Sequence, residues 1–324
     1  MRPLLFLLLF TSFALTLMAA EEVDAEREPK WNYATGGSVH TNAISADGEY
    51  IAAGSDDNKV YLFDKDSNTP LWSYTTGDDV RSVAISADGK YITAGSVDNR
   101  VYLFDKDSGT PLWSYTTGDD VRSVAISADG EYIAAGSRDD KVYLFDKDSS
   151  TPLWSYQTGS IVYSVAISAD GEYITAGSWD NRVYLFDKDS STPLWNYDAG
   201  DAVYSVAISA NGEYITAGSW DNKKVYLFDK GSSTPLWSTG SWESNTDLSD
   251  ADASFWGEDA NDYSGYTVSG AGDVNGDGYD DFIIGAYGDD NGGNNAGQTY
   301  LILGNGTGWS MDTGLSDADD SLLA

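Results

Sequence analysis

An all-β fold of repeated four-stranded sheets is predicted by three observations. Trp31, Trp72, Trp113, Trp154 and Trp195 stand 41 residues apart, and Trp237 follows after 42, the extra residue being the second lysine of Lys223-Lys224. Between tryptophans the same phrases recur: PLWSYTTG, VRSVAISADG, KYITAGSVDN and RVYLFDKDSG. Each is a short run of apolar, β-branched and aromatic residues closed by an Asp-Gly, Asp-Asn or Asp-Ser turn, and no stretch carries a helical period. Four strands per copy make one four-stranded antiparallel sheet, and sheets of that size stacked radially form a β-propeller. The expectation is five such blades over residues 31–239 and a further blade-like unit after them.

Composition bounds the chemistry. The 324 residues hold 18 basic and 52 acidic side chains, a formal charge of −34, which removes nucleic acid from the expected partners because phosphate binding needs a basic face. With no cysteine and one histidine, disulfide frameworks, thiol nucleophiles and Cys/His zinc sites are absent, and a Ser-His-Asp triad would depend on His40. At 41% apolar and 13% aromatic the chain is too rich for disorder and can bury a core.

Taken in order, residues 1–20 (MRPLLFLLLFTSFALTLMAA) have one arginine, a leucine- and phenylalanine-rich run and small residues before Glu21, the layout of a secretory signal peptide cleaved after Ala20. The mature chain is expected to be secreted or at the cell surface. It has no membrane span, since no later segment approaches the roughly 20 apolar residues that a span requires. Residues 21–30 read as an acidic linker. From Gly231 to Ala324 there is no lysine or arginine, so cations must neutralise that stretch.

The repeats carry two resemblances. SVAISADGKYITAGSVDNRVYLFD is similar to the WD-repeat pattern, with Asp57, Asp98, Asp139, Asp180 and Asp221 at its tight-turn aspartate and Phe-Asp where Trp-Asp usually closes the repeat. The Gly-His dipeptide of that family is replaced by Gly77-Asp78 and its copies, so the hydrogen-bond network that the histidine anchors cannot form in that way. FDKDSGTPLW resembles pyrroloquinoline-quinone repeats, in which an aspartate precedes a docking tryptophan by eight positions, as Asp64/Trp72, Asp105/Trp113, Asp146/Trp154, Asp187/Trp195 and Asp229/Trp237 do. The resemblance implies blade-to-blade packing for these tryptophans. It does not imply dehydrogenase chemistry, because no equivalent of that family's central quinone site stands out.

Because the copies are nearly identical, the columns in which they differ are informative. One column is His40, Arg81, Arg122, Tyr163 and Tyr204, at the start of the SVAIS strand. Two residues upstream lie Ser38, Asp79, Asp120, Ile161 and Ala202. A third column, just before the turn aspartate, is Asp56, Val97, Arg138, Trp179 and Trp220. In WD-repeat proteins such positions line the face on which partners dock, so His40, Arg81, Arg122, Arg138, Tyr163, Tyr204, Trp179 and Trp220 are the expected ligand-binding face. Blades one to three supply its charged half and blades four and five its aromatic half, the residue types of protein hot spots and sugar-stacking platforms.

After Gly240 the pattern changes. Asp273, Asn275, Asp277 and Asp281 place side-chain oxygens at positions 1, 3, 5 and 9 of a loop bent at Gly278, and Tyr279 can add its carbonyl, a spacing that wraps oxygens around a hard cation such as Ca²⁺. Ile284 occupies the position where an EF-hand places its last acid, and the run from Phe282 to Ala286 reads as a strand. This stretch resembles an FG-GAP repeat, the blade unit of integrin-α-type propellers, which implies a calcium-stabilised segment over residues 240–310. Its strands are expected at 265–272, 280–286 and 298–304, with the Trp31 strand completing the unit and closing a six-bladed ring. Leu248-Ser-Asp-Ala-Asp252 returns as Leu315-Ser-Asp-Ala-Asp319, which marks 311–324 as the start of a truncated second repeat.

The functional expectation is a non-enzymatic recognition or adhesion scaffold that binds an extracellular protein or glycan. A structural envelope component and a carbohydrate-active or quinoprotein-like enzyme are the alternatives. The aspartates recur at turn positions in every copy, whereas a catalytic pair would be unique to one blade.

Overall fold

The computed structural model describes residues 29–220 and 224–238 and four strands beyond them, at 264–272, 281–286, 298–303 and 310–311. The expected signal peptide, residues 273–280 of the acidic loop and residues 312–324 lie outside the described residues. The chain divides into two compact units, Met1–Asn32 and Tyr33–Ala324. Of the first, residues 29–32 are described and form no strand.

All regular structure among the described residues is β. Blade 1 consists of β1 (Val39–Ile44), β2 (Tyr50–Ser55), β3 (Lys59–Asp64) and β4 (Trp72–Thr75). Blade 2 follows with β5 (Val80–Ile85), β6 (Tyr91–Ser96), β7 (Arg100–Asp105) and β8 (Pro111–Thr116). Blade 3 is β9 (Val121–Ile126), β10 (Tyr132–Ser137), β11 (Lys141–Asp146) and β12 (Trp154–Gln157). Blade 4 is β13 (Val162–Ile167), β14 (Tyr173–Ser178), β15 (Arg182–Asp187) and β16 (Trp195–Asp198). Blade 5 is β17 (Val203–Ile208), β18 (Tyr214–Ser219), β19 (Val225–Asp229) and β20 (Trp237–Ser238). A sixth sheet holds β21 (Ser264–Gly272), β22 (Asp281–Ala286), β23 (Gln298–Leu303) and β24 (Ser310–Met311). In every sheet the strands pair antiparallel in sequence order.

The turn chemistry explains the hairpins. Gly48, Gly89, Gly130, Gly171 and Gly212 join first to second strands with φ of 70–75°, and Asn58, Asn99, Asp140 and Asn181 take φ of 66–70° between second and third strands. Glycine, asparagine and aspartate tolerate that left-handed region best.

The blades stack through their first strands, β1, β5, β9, β13, β17 and β21, each beside the next. The side chains facing the next blade supply partners for its edge. The N–H groups of Val83, Val124, Val165 and Val206 donate to the hydroxyls of Thr41, Ser82, Ser123 and Ser164 at 3.0–3.2 Å. At the other end of these strands, the N–H groups of Ala46, Ala87, Ala128 and Ala169 donate to the carbonyls of Ala87, Ala128, Ala169 and Ala210 at 2.9–3.0 Å. Backbone groups that would be orphaned along an edge strand are thereby satisfied.

The core lies between blades. Third strands such as RVYLFD carry an unbroken apolar VYLF run between charged ends because both faces there are buried. Tyr102 and Phe104 pack toward blade 1 with Val60 and Leu62, while Val101 and Leu103 pack toward blade 3 with Tyr143 and Phe145. The tryptophans close each interface as their spacing implies. The indole N–H groups of Trp72, Trp113, Trp154 and Trp195 donate to the carbonyls of Lys106, Lys147, Lys188 and Lys230 at 2.7–2.8 Å, and the rings lie 5.2–5.4 Å from Phe104, Phe145, Phe186 and Phe228.

Two expectations are settled by the sixth sheet. Its first three strands fall where the sequence puts them. Its fourth is Ser310–Met311, paired with Ile302 and Leu303, and Trp31 lies outside any strand. The Trp31 strand therefore does not complete this unit. The repeat phrase is nonetheless used nearby: Tyr33 sits edge-on to Tyr61 and Phe63 at 5.5 and 5.2 Å, as Tyr74 sits on Tyr102 and Phe104 at 5.6 and 5.3 Å. The segment keeps the side-chain half of a fourth strand without its ladder.

Candidate ligand-binding face

Each variable column has a fixed place in the blade. First and second strands are out of register by one residue at a single point. Val39 pairs with Ser55 and Thr41 with Gly54, leaving His40 as the extra residue of a β-bulge. The same slip leaves out Arg81, Arg122, Tyr163 and Tyr204 in blades 2 to 5. A bulge turns its side chain out of the ladder and re-aims it, so the whole first column is presented by one repeated irregularity. The second and third columns are tied together beside it. The N–H groups of Asp56, Val97, Arg138, Trp179 and Trp220 donate to the carbonyls of Ser38, Asp79, Asp120, Ile161 and Ala202 at 2.8–3.0 Å.

Opposite each bulge stands a glycine that cannot carry a side chain. A Cβ on Gly54, Gly95, Gly136 or Gly177 would fall 2.6–2.7 Å from Cγ1 of Val80, Val121, Val162 or Val203 in the next blade. The glycine lets the neighbouring blade's first strand approach and so sets one bulge beside the next.

The charged half is a set of ion pairs. Arg81 reaches Asp79 at 2.8 Å and Asp56 at 3.3 Å. Nε2 of His40 lies 2.7 Å from Nη1 of Arg81 and 2.8 Å from Oδ2 of Asp56. Unprotonated, that nitrogen accepts from Arg81; protonated, it donates to Asp56. In the next blades Asp120 accepts from both Arg122 and Arg138, at 3.2 and 3.3 Å. The Nε atoms of Arg81 and Arg122 are buried without a hydrogen-bond partner, so both guanidiniums act through their terminal nitrogens.

The two halves meet at Arg122, whose guanidinium lies over the Tyr163 ring at 5.9 Å. From there the aromatic half runs on: Tyr163 stacks on Trp179 at 5.1 Å and 29°, lies 4.6 Å from Tyr204, and Tyr204 lies 4.7 Å from Trp220. The structure thus joins Arg138, Arg122, Tyr163, Tyr204, Trp179 and Trp220 in one contact series and His40 with Arg81 in another. Trp179 keeps 40% of its surface exposed although the rings of Tyr163 and Tyr204 lie against it.

Beneath this face the turn aspartates replace the missing histidine network. Asp57, Asp98, Asp139 and Asp180 each accept from a glycine N–H at 2.7 Å (Gly36, Gly77, Gly118, Gly159) and from a tyrosine hydroxyl at 2.5–2.6 Å (Tyr61, Tyr102, Tyr143, Tyr184). Burial would raise the Asp57 carboxyl, but the Tyr61 hydroxyl, the Gly36 N–H and the Ser55 hydroxyl outweigh it and hold the group below the usual carboxylate range. Burial first, and the carboxylate second, push the four phenols above their ordinary value.

Of the acidic-loop residues, Asp281 opens β22 and pairs with Gly272 at the end of β21. Asp273, Asn275, Asp277 and Tyr279 lie outside the described residues, between those paired ends. Among the described residues there is no cluster of three or more His, Cys, Asp or Glu able to hold a metal, and no helix is long and apolar enough to cross a membrane.

What the sequence reading missed is the bulge. Its only trace in the sequence is that the most variable position adjoins a phrase that reads SVAIS in four blades and TNAIS in the first, and faces an invariant glycine.

Comparison with known families matches residues 21–239 to PQQ_2, described as outer membrane protein assembly factor BamB, and residues 264–302 to the FG-GAP repeat. No curated protein matches the chain.

Proposed function

The chain belongs to the PQQ_2 family of outer membrane protein assembly factor BamB, and from that premise we propose that it is an exported, non-enzymatic recognition scaffold for an extracellular protein or glycan. The observation that carries this reading is the division of labour within one repeat. The docking tryptophan and the buried VYLF run of the third strand are copied from blade to blade, while the residue turned out by the bulge changes from histidine to arginine to tyrosine. A scaffold that varies only what it presents is organised for binding. The family's description as an outer membrane protein assembly factor, a role outside the cytoplasm, and the leader-like residues 1–20 support export, and with it an address at the cell surface or outside the cell.

Calcium is part of the proposal. The sequence offers the oxygens of Asp273, Asn275, Asp277 and Asp281 and the Tyr279 carbonyl at the spacing of a cation loop, and the antiparallel pairing of Gly272 with Asp281 supports that reading. That donor set is hard and oxygen-only, as Ca²⁺ requires, and its role would be to stiffen the sixth sheet.

The test is binding of the chain from residue 21 onward to a glycan and surface-protein array, with calcium and then with chelator, beside the Trp179→Ala variant. Capture that is lost in Trp179→Ala supports the face as the recognition surface, and loss on chelation makes recognition calcium-dependent. Capture unchanged by the substitution, or no capture in either condition, overturns the reading and leaves the structural-component alternative.

A further inference from the structure

We infer that the ligand of this face is a neutral saccharide, a deepening that rests on the recognition reading above. Three features of the face select this chemistry.

The first is charge. In a chain with 18 basic and 52 acidic residues, three arginines are gathered here and matched by three aspartates: Arg81 with Asp79 and Asp56, Arg122 and Arg138 with Asp120. A carboxylate or ammonium ligand would have to displace one member of a pair and leave its partner uncompensated. A sugar hydroxyl has no such conflict. It donates to a free lone pair of the carboxylate and accepts from a guanidinium N–H, adding to the pair without opening it.

The second is the platform beside those pairs. The contact series Arg138, Asp120, Arg122, Tyr163, Trp179 has an exposed guanidinium at one end and an exposed indole at the other. Tyr163 backs the indole at 5.1 Å and holds it against rotation. The electron-rich face of an indole attracts the slightly positive C–H groups on one face of a pyranose ring. An aromatic plane next to guanidinium donors and a carboxylate acceptor is the arrangement that binds an apolar sugar face and its equatorial hydroxyls together.

The third feature argues against a peptide. A strand would bind most directly by adding to an exposed sheet edge. The edge N–H groups of the first strands are already taken: Val83, Val124, Val165 and Val206 donate to hydroxyls of the preceding blade, and Ala46, Ala87, Ala128 and Ala169 to carbonyls of the following one. On the first strands, which carry the bulges, what remains open is side-chain chemistry.

The experiment is a printed array of neutral, uronic-acid and amino-sugar oligosaccharides probed with the chain from residue 21 onward, followed by calorimetric titration of cellohexaose, maltohexaose and hexagalacturonate. Neutral members are expected to bind, with affinity little changed between low and high salt. Trp179→Ala should weaken them about tenfold and Arg138→Ala several-fold, while the urea midpoint stays at the wild-type value. Retention of neutral-sugar binding by Trp179→Phe, which keeps a ring, would separate stacking from a folding effect. Binding confined to acidic or amino sugars and lost in Trp179→Ala would overturn neutrality while the recognition reading stands. Absence of all saccharide binding together with Trp179-dependent capture of a protein would overturn the glycan and keep the recognition face. Saccharide binding indifferent to both substitutions would overturn both.

Discussion

The interface between two blades and the bulge beside it are only a few residues apart in sequence, yet they follow opposite rules. At the interface the four tryptophans whose contacts are described make the same hydrogen bond to the same carbonyl of the next copy, within 0.1 Å of one another. At the bulge the backbone slip is equally constant, but its residue is histidine, arginine, arginine, tyrosine and tyrosine in turn. A residue whose partner lies in a neighbouring copy can change only if both copies change. A residue turned out of the ladder meets a neighbouring copy only through its side chain, as Arg81 meets Asp56 and Arg122 meets Tyr163, and several residue types can serve there. The difference teaches that variation in this molecule gathers where the backbone ladder makes no demand.

Gly136→Val should break the comparison most severely. Its Cβ would lie 2.6 Å from Val162 Cγ1 and 3.2 Å from Val165 Cγ1, so blades 3 and 4 cannot approach. A loss of about 3 kcal/mol or more is expected, read as a lower urea midpoint.

The aspartate-tyrosine pairs under the face give a smaller effect that pH reveals. The Asp57 carboxyl under the face sits below its ordinary value, as do Asp88 and Asp170 in the turns between first and second strands, where burial is outweighed by a serine hydroxyl and a backbone N–H. Their contribution is present above about pH 4 and lost as pH falls through the folded-state value. The phenols of Tyr61, Tyr102, Tyr143 and Tyr184 sit above theirs, so their contribution is full below about pH 10 and lost as pH rises further. Urea midpoints followed from acid to alkali should fall at both ends. Tyr143→Phe should flatten the alkaline limb and leave the acid limb in place.

The smallest stability effect belongs to the bulge itself, and it sharpens the comparison. Arg81→Tyr installs in blade 2 the residue that blade 4 already carries at the equivalent site, so the stability read from the urea midpoint should change by no more than about 0.5 kcal/mol. Its consequence should appear in ligand binding alone. A large loss of stability would mean that the Arg81 ion pairs with Asp79 and Asp56 hold the blade together.

Most of the fold could be read directly because the 41-residue period aligns every strand with four copies of itself. The β21 to β23 hairpins were equally legible from an apolar run on each side of turn residues. The fourth strand of that sheet was not. Trp31-Asn-Tyr33 carries the repeat phrase, but a phrase specifies which side chains are offered, and a strand exists only where a partner backbone accepts its hydrogen bonds. Ser310–Met311 met that condition beside β23. The site was half legible for the same reason. Column variation pointed to His40, Arg81, Arg122, Tyr163 and Tyr204, whereas the mechanism that presents them is a relation between two strands and appears only once their register is known. Contacts such as Arg122 over Tyr163 depend on the spacing between blades, which no single repeat encodes.

The bonds from Ala46 to Ala87, Ala87 to Ala128, Ala128 to Ala169 and Ala169 to Ala210 all point the same way along the chain. Each 41-residue copy therefore has a donating flank and an accepting flank, like a link with a hook and an eye. A tandem duplication in the gene inserts both at once, and the newcomer engages its neighbours without any further change. Loss of a copy reconnects the flanks just as readily. Such a lineage can lengthen or shorten its array in single genetic steps, and each added link arrives with one position outside the ladder that selection can use at once.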